Sequence, residues 1–226
     1  MKKHIPNTIT LLNQFSGIIA CIFAYNSRFD MALLFVLIGA LLDFMDGAVA
    51  RLLHVSSPLG KELDSLADVI TFGLVPGMIA FRLLAPLASV WTYLPYLGFL
   101  ITLFSTYRLG KFNIDERQTS SFIGLATPAN AIFWIGFVSF YYEVGGILNW
   151  LTLIAIIGMS WLMLSSIDIY SLKFKNYSFR ENSHRYILIV AAVAFTAIGG
   201  LMGMAITILY YVLSAVAMNL RAKSKA

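Results

Sequence analysis

Apolar residues run along this chain in long blocks and do not alternate with polar ones. Ala129–Tyr142 and Ile147–Ser165 contain no charged residue. Blocks approaching 20 residues are the length a helix needs to cross a bilayer, whereas a membrane strand would show alternating polarity. The pattern predicts eight helices, at about 8–26, 31–53, 63–84, 94–108, 128–142, 148–167, 186–201 and 204–220. Gly199, Gly200 and Gly203 mark a tight hairpin between the last two. The expected fold is all-α, a polytopic membrane helical bundle formed by residues 1–226 as one unit, with no soluble domain and no internal repeat.

Composition strengthens this picture. Charged residues make up 12% of the chain, hydrophobic residues 59%, and mean hydropathy is +0.81. A soluble domain carries about 25% charged residues. The single cysteine, Cys21, rules out a disulfide framework. Lys2 and Lys3 ahead of Ile18-Ile19-Ala20-Cys21 resemble a lipoprotein leader. Asn13 and Gln14 interrupt its apolar region and more membrane helix follows, so an ordinary first helix is expected.

Charge gives the orientation. With the N-terminus inside, the inner side receives Lys2, Lys3, Arg51, Lys61, Arg108, Lys111, Arg117, Lys173, Lys175, Arg180, Arg185, Arg221, Lys223 and Lys225. The outer side receives Arg28 and Arg82. This positive-inside bias predicts a multi-pass protein of the cytoplasmic (inner) membrane with both termini cytoplasmic. The basic face is read as topology and as attraction to anionic lipid, at about 1 kcal/mol per residue near the surface. No nucleic-acid partner is expected. Trp91, Tyr93, Tyr96, Tyr141, Tyr142 and Trp150 read as an aromatic belt at the outer boundary.

Against this background the segment 41–70, LLDFMDGAVARLLHVSSPLGKELDSLADVI, is anomalous. It places Asp43, Asp46, Asp64 and Asp68 in membrane helices, where ionisable groups are expensive. The i,i+3 and i,i+4 spacings put each pair on one helical face. At a rise of about 1.5 Å per residue, Asp46 and Asp43 lie roughly 7 and 12 Å deeper than Arg51, and Asp64 and Asp68 about 3 and 9 Å deeper than Glu62. The short turn at Ser56-Ser57-Pro58 makes the two helices neighbours, so four carboxylates meet just below the inner surface. Unaided, they would repel or protonate. With no His or Cys in the pattern (His54 belongs to the turn), a pair of hard divalent ions, Mg²⁺ or Mn²⁺, resolves the conflict. Gly47 and Ala50 leave the helix surface open, Gly60 relaxes the turn into the third helix, and Arg51 suits a phosphate oxygen. The residues therefore describe a two-metal pyrophosphate site facing the cytoplasm.

The pattern Asp43-x-x-Asp46-Gly47-x-x-Ala50-Arg51, eight residues, then Gly60-x-x-x-Asp64-x-x-x-Asp68 resembles the complete motif of the CDP-alcohol phosphotransferases. That resemblance implies transfer of a phosphoryl-linked group from a CDP-alcohol to a second alcohol, with release of CMP. It implies that the four aspartates hold the metals and that Asp68 is also the general base. It further implies that Gly47, Ala50, Arg51 and Gly60 line the diphosphate, that Asn7 and Thr10 help hold the cytidine end, and that the protein is a homodimer. Capping of the first helix is the alternative role for Asn7 and Thr10. Pro6-Asn7-x-x-Thr10, Asp64 through Gly73, Arg108 through Asp115 and Phe122 through Ala129 resemble the integral-membrane bacterial phosphatidylserine synthases. Ala126 departs from the proline common there. The implied catalytic core is about 4–170, and the last two helices, about 186–220, are generic. The implied substrates are CDP-diacylglycerol and L-serine, taken from the lipid bilayer and the cytoplasm.

Serine needs partners for its carboxylate and its ammonium. The inner loop between helices four and five offers Arg108, Lys111, Arg117 and Gln118, with Asp115 and Glu116. Arg117 or Arg108 is expected to contact the serine carboxylate, or one of them to hold the lipid phosphate. A family member with a different acceptor (glycerol 3-phosphate, inositol phosphate or a lipid alcohol) is the main rival. A cation transporter is the rival from another class, although transport does not demand a phosphate-sized opening beside Gly47 and Gly60.

Overall fold

A computed structural model describes residues 4–55, 57–114, 121–144, 148–171 and 178–223. Helices α1 (His4–Tyr25) and α2 (Phe29–Leu52) form an antiparallel hairpin. A long rod follows: α3 (Pro58–Asp68), one π-helical turn (Val69–Leu74) and α4 (Val75–Leu84). Short 3₁₀ turns at Ala85–Ser89 and Leu94–Phe99 lead into α5 (Leu100–Ile114). Then come β1 (Ser121–Ile123), α6 (Thr127–Val144), α7 (Leu148–Leu164), β2 (Asp168–Tyr170), α8 (Phe179–Gly199) and α9 (Met202–Lys223).

With α3, the π turn and α4 counted as one rod, the described residues form the eight helical rods that the hydrophobic pattern predicts. Among the described residues four stretches are long and apolar enough to cross a bilayer: His4–Tyr25, Phe29–Leu52, Pro58–Ser89 and Met202–Arg221. Large apolar side chains such as Phe15, Phe44, Leu103, Ile154, Val190 and Leu213 lie exposed along the rods. Water would penalise such a surface, and hydrocarbon accepts it. The chain is a multi-pass helical membrane protein. Its buried centre includes Phe72, Ile79, Leu83, Ile101, Trp134 and Met163.

Several helix ends differ from expectation, with consequences for the site. The first helix starts at His4, so Asn7 and Thr10 lie inside it and do not cap it. The third starts at Pro58: Ser57, extended at φ −146°, accepts at its Oγ from the Gly60 N–H at 3.0 Å, and proline occupies the first turn. Gly60 is therefore inside the first turn of α3 and not in the loop before it. The fourth runs on to Ile114, which places Arg108 and Lys111 on a helix and not in a loop. An unexpected ribbon pairs β1 antiparallel with β2, Phe122 opposite Ile169. Tyr141, one of the expected belt residues, also ties helices together: its hydroxyl lies 3.2 Å from the Leu83 carbonyl and 2.5 Å from Asn149 Oδ1.

Small residues let the rods approach closely. A Cβ on Gly17 would collide with Thr71 Oγ1, and one on Gly39 would lie 2.7 Å from Thr71 Cγ2. The final hairpin turns at Gly200, at φ +55°, which glycine adopts without strain. Gly136 lets α6 press against the backbone of α9 at Ala205.

Candidate active site

The chain closes α2 and reverses at His54, whose φ of +51° is the left-handed ending common to helix C-termini. The His54 N–H reaches the Arg51 carbonyl at 3.1 Å and the Val55 N–H reaches that of Ala50 at 3.0 Å. α3 then returns along α1, and the acidic faces of α2 and α3 meet. One carboxylate oxygen each from Asp43, Asp64 and Asp68 lie within 4.8 Å of one another. Asp43 is in hydrogen-bonding reach of both Asp64 and Asp68. Asp46 is 6% exposed, stands apart from this trio and accepts a hydrogen bond from Thr10 Oγ1. Asp68 Oδ1 is buried without a hydrogen-bond partner.

Buried polar atoms are ordinarily paired. An orphaned carboxylate oxygen beside two further carboxylates fits a cation in that space. The donors are all hard oxygens, which suits Mg²⁺, Mn²⁺ or Ca²⁺ and not the soft-ligand metals. The residues present thus fit a divalent ion.

Beside the acids opens a cleft of about 290 Å³. Asn7 and Thr10 of α1 line one wall, Asp46, Gly47 and Ala50 of α2 a second, and Gly60, Lys61 and Asp64 of α3 a third. The glycines keep it open: a Cβ on Gly60 would lie 3.1 Å from both Asn7 Oδ1 and Ser57 Oγ. The structure thus gathers every residue expected at the nucleotide except Arg51 into the lining. Arg51 sits at the rim, its Nη1 3.4 Å from where a Gly47 Cβ would be. Asp64 belongs to both the cleft and the carboxylate trio, while Asp68 lies behind the cleft.

On the far side of Asp68 stands Arg108, close enough for the two charges to interact. Arg108 is 7% exposed and donates from Nη1 to Thr127 Oγ1 at 3.3 Å. Its Cζ lies 5.8 Å from the Phe112 ring centre, and its Nε is buried unpaired. Arg108 and Lys111 share a small recess with Phe112, Ile123, Met163 and Ser165, separate from the nucleotide cleft. Arg117 and Gln118 lie outside the described residues.

Sequence reasoning missed three parts of this site. Lys61 counts in the sequence only as part of the basic inner face, yet it lines the cleft, and its Nζ donates to the Asn113 carbonyl at 2.8 Å. Asn113 Nδ2 in turn donates to Ser65 Oγ at 2.8 Å, clasping α5 to the aspartate helix. Thr71 Oγ1 donates to Asn13 Oδ1 at 2.8 Å in the π turn that follows Asp68. Only Lys61 left a usable trace, its place next to Gly60. The other contacts join residues 48 and 58 positions apart.

A model of the family described as CDP-alcohol phosphatidyltransferase matches residues 3–216. The chain is 36% identical over 171 residues to the CDP-diacylglycerol–serine O-phosphatidyltransferase of Bacillus subtilis (strain 168), covering 73% of this chain and 89% of that protein. It is 35% identical over 140 residues to the protein of that name from Helicobacter pylori, covering 56% of this chain and 54% of that one. A Saccharomyces cerevisiae protein of the same name matches at 38% over 122 residues, 51% of this chain and 43% of its own length.

Proposed function

We propose that this chain, which belongs to the CDP-alcohol phosphatidyltransferase family, transfers the phosphatidyl group of CDP-diacylglycerol to the hydroxyl of L-serine, giving phosphatidylserine and CMP. The observation that carries the reading is the orphaned, buried Oδ1 of Asp68 between a carboxylate-lined cleft and a buried arginine. A reaction in which an amino-acid hydroxyl displaces CMP from a diphosphate uses those three features side by side.

In this reading the cytidine diphosphate enters the cleft between α1, α2 and α3. Gly47, Ala50 and Gly60 allow the diphosphate to approach the backbone, and Asn7 and Thr10 face the nucleotide. Arg51 beside Gly47 and Lys61 in the lining each supply a cation for phosphate oxygens. Asp43, Asp64 and Asp68 would hold one divalent ion, Mg²⁺ or Mn²⁺, and Asp46 with Asp64 would face a second. When bound, such ions offset the diphosphate charge and stabilise the departing CMP. The serine hydroxyl attacks the phosphorus that bears the diacylglycerol, and the bond from that phosphorus to the oxygen of CMP breaks. Asp68 receives the hydroxyl proton. Arg108 holds the serine carboxylate, with Lys111 beside it. The positive-inside count supports a cleft that opens to the cytoplasm in the cytoplasmic membrane, with both termini inside. The family resemblance supports a homodimer.

The test is CMP release by purified protein in vesicles containing CDP-diacylglycerol, supplied with serine or with glycerol 3-phosphate. Release with serine, lost in Asp68→Asn and in Asp43→Asn, is the expected result. Release with glycerol 3-phosphate and not serine would overturn the acceptor, and activity retained in both variants would overturn the site.

A further inference from the structure

The α8–α9 hairpin carries none of the residues assigned above, yet its polar side chains converge on one short strand. Asn219 Nδ2 donates to the Asp168 carbonyl at 2.7 Å, and the Tyr211 hydroxyl donates to the Tyr170 carbonyl at 2.5 Å. One residue further on, Arg185 Nε donates to the Ser171 carbonyl at 2.7 Å. The Tyr170 ring packs edge-on against His184 and Tyr211, with centres 4.7 and 5.0 Å away, and its hydroxyl lies 2.9 Å from Ser214 Oγ.

The spacing explains why these contacts matter. Along a strand, successive carbonyls point to opposite edges. Ile167 accepts from the Gly124 N–H at 2.9 Å, and Ile169 lies opposite Phe122, so the odd positions face β1. Asp168 and Tyr170 therefore present their carbonyls on the free edge, where Asn219 and Tyr211 reach them. Side chains of α9 do the work of a third strand on an edge that would otherwise be open. Ile169 at the centre of the strand is 1% exposed, and Tyr211, which reaches it from α9, 7%.

The ribbon secured in this way is a wall of the arginine recess. Ile123, the last residue of β1, lines that recess with Arg108 and Lys111. The Leu125 N–H, two residues on, is fixed to the Leu162 carbonyl at 2.9 Å.

We propose that Tyr211, Asn219 and Arg185 are positioning residues for acceptor binding: the α8–α9 hairpin holds the β1–β2 ribbon against Arg108 and so sets where its guanidinium stands. This rests on the assignment of Arg108 to the acceptor, and it gives the last two helices a task in the reaction. A brace serving stability alone would lower melting temperature without favouring one substrate over the other. A positioning brace moves the acceptor constant selectively.

The experiment uses the full chain in CDP-diacylglycerol vesicles and whichever acceptor alcohol supports CMP release in the wild type. Each of Tyr211→Phe and Asn219→Ala removes one hydrogen bond to β2. A bond of this kind contributes about 1 kcal/mol, so acceptor KM rises about fivefold in each. KM for CDP-diacylglycerol stays within about twofold on the same reasoning, because the nucleotide cleft is on other elements. Hydrogen exchange, read without turnover, is faster at Gly124 and Leu125 in both variants. Unchanged acceptor KM in both, both substrate constants rising together, or unchanged exchange in the ribbon would each overturn the proposal. A wild type that uses a different acceptor refutes the serine reading while leaving the brace to be judged by its own comparison.

Discussion

Replacing Thr10 with valine isolates one interaction in the carboxylate site. Thr10 is 3% exposed, and its hydroxyl donates to Asp46, itself 6% exposed. Valine keeps the side-chain shape and removes only the donor. A hydrogen bond to a charged group is worth about 1.5–3 kcal/mol, which bounds the effect between roughly ten- and 150-fold. Two features push the result to the low end. The hydroxyl is also within 3.1 Å of the Pro6 carbonyl, so its proton is shared, and the open cleft lets water reach the abandoned carboxylate. About tenfold is therefore expected, and it falls on metal binding, because Asp46 loses the group that orients it. The assay is CMP release titrated with Mn²⁺. Half-saturation should rise about tenfold in Thr10→Val and stay near wild type in Thr10→Ser, with turnover at saturating metal little changed. A Thr10→Val half-saturation within about twofold of wild type would refute the reasoning, since that difference is worth only about 0.4 kcal/mol.

Other perturbations test separate parts of the molecule. Chelation by EDTA should abolish CMP release, and added Mg²⁺ or Mn²⁺ should restore it; activity that survives exhaustive chelation would remove the metal assignment. Lys61→Ala should raise KM for CDP-diacylglycerol about three- to tenfold, the loss of one charge-assisted contact, and leave the serine constant unchanged. Gly39→Ala sets a Cβ 2.7 Å from Thr71 Cγ2 and 3.0 Å from Asn13 Oδ1, so it should destabilise the fold by about 1–3 kcal/mol, read as a lower melting temperature in detergent.

The parts of this protein legible in sequence are those governed by local periodicity. Apolar blocks reveal rods because each must hide its own backbone from hydrocarbon. The acidic pairs reveal a site because charge at that depth demands a reason and because their offsets from Arg51 and Glu62 are simple counts. Helix ends were less legible, since ends are decided by caps. Ser57 and Pro58 moved the start of α3 five residues earlier than the apolar signal, and with it Gly60 changed from loop to helix. Likewise α5 continues to Ile114 past the polar residues that suggest a loop, because Asn113 finds partners in Lys61 and Ser65 on another helix. The ribbon was invisible: strands as short as Ser121–Ile123 and Asp168–Tyr170 carry no period of their own and exist through pairing and through α9.

The π turn shows how the local and the distant combine to place Asp68. Pro76 has no N–H to offer the Phe72 carbonyl, and its ring crowds that carbonyl, so a regular helix cannot run straight through. The chain instead widens by one residue, with the Val75 N–H reaching back to the Ile70 carbonyl. Widened turns leave carbonyls in need of partners. Thr102 Oγ1 of α5 reaches the Gly73 carbonyl at 3.1 Å, and Thr71 spends its hydroxyl on Asn13 of α1. These partners lie on helices that flank the acids, so the turn is pinned from both sides directly after Asp68. One extra residue in a helix shifts the facing of everything beyond it by about 100°. The rod can thus aim Asp64 and Asp68 at Asp43 in its first half, while its second half packs Gly77 against Thr102 at the α5 crossing. A continuous helix would satisfy one of those two demands and miss the other.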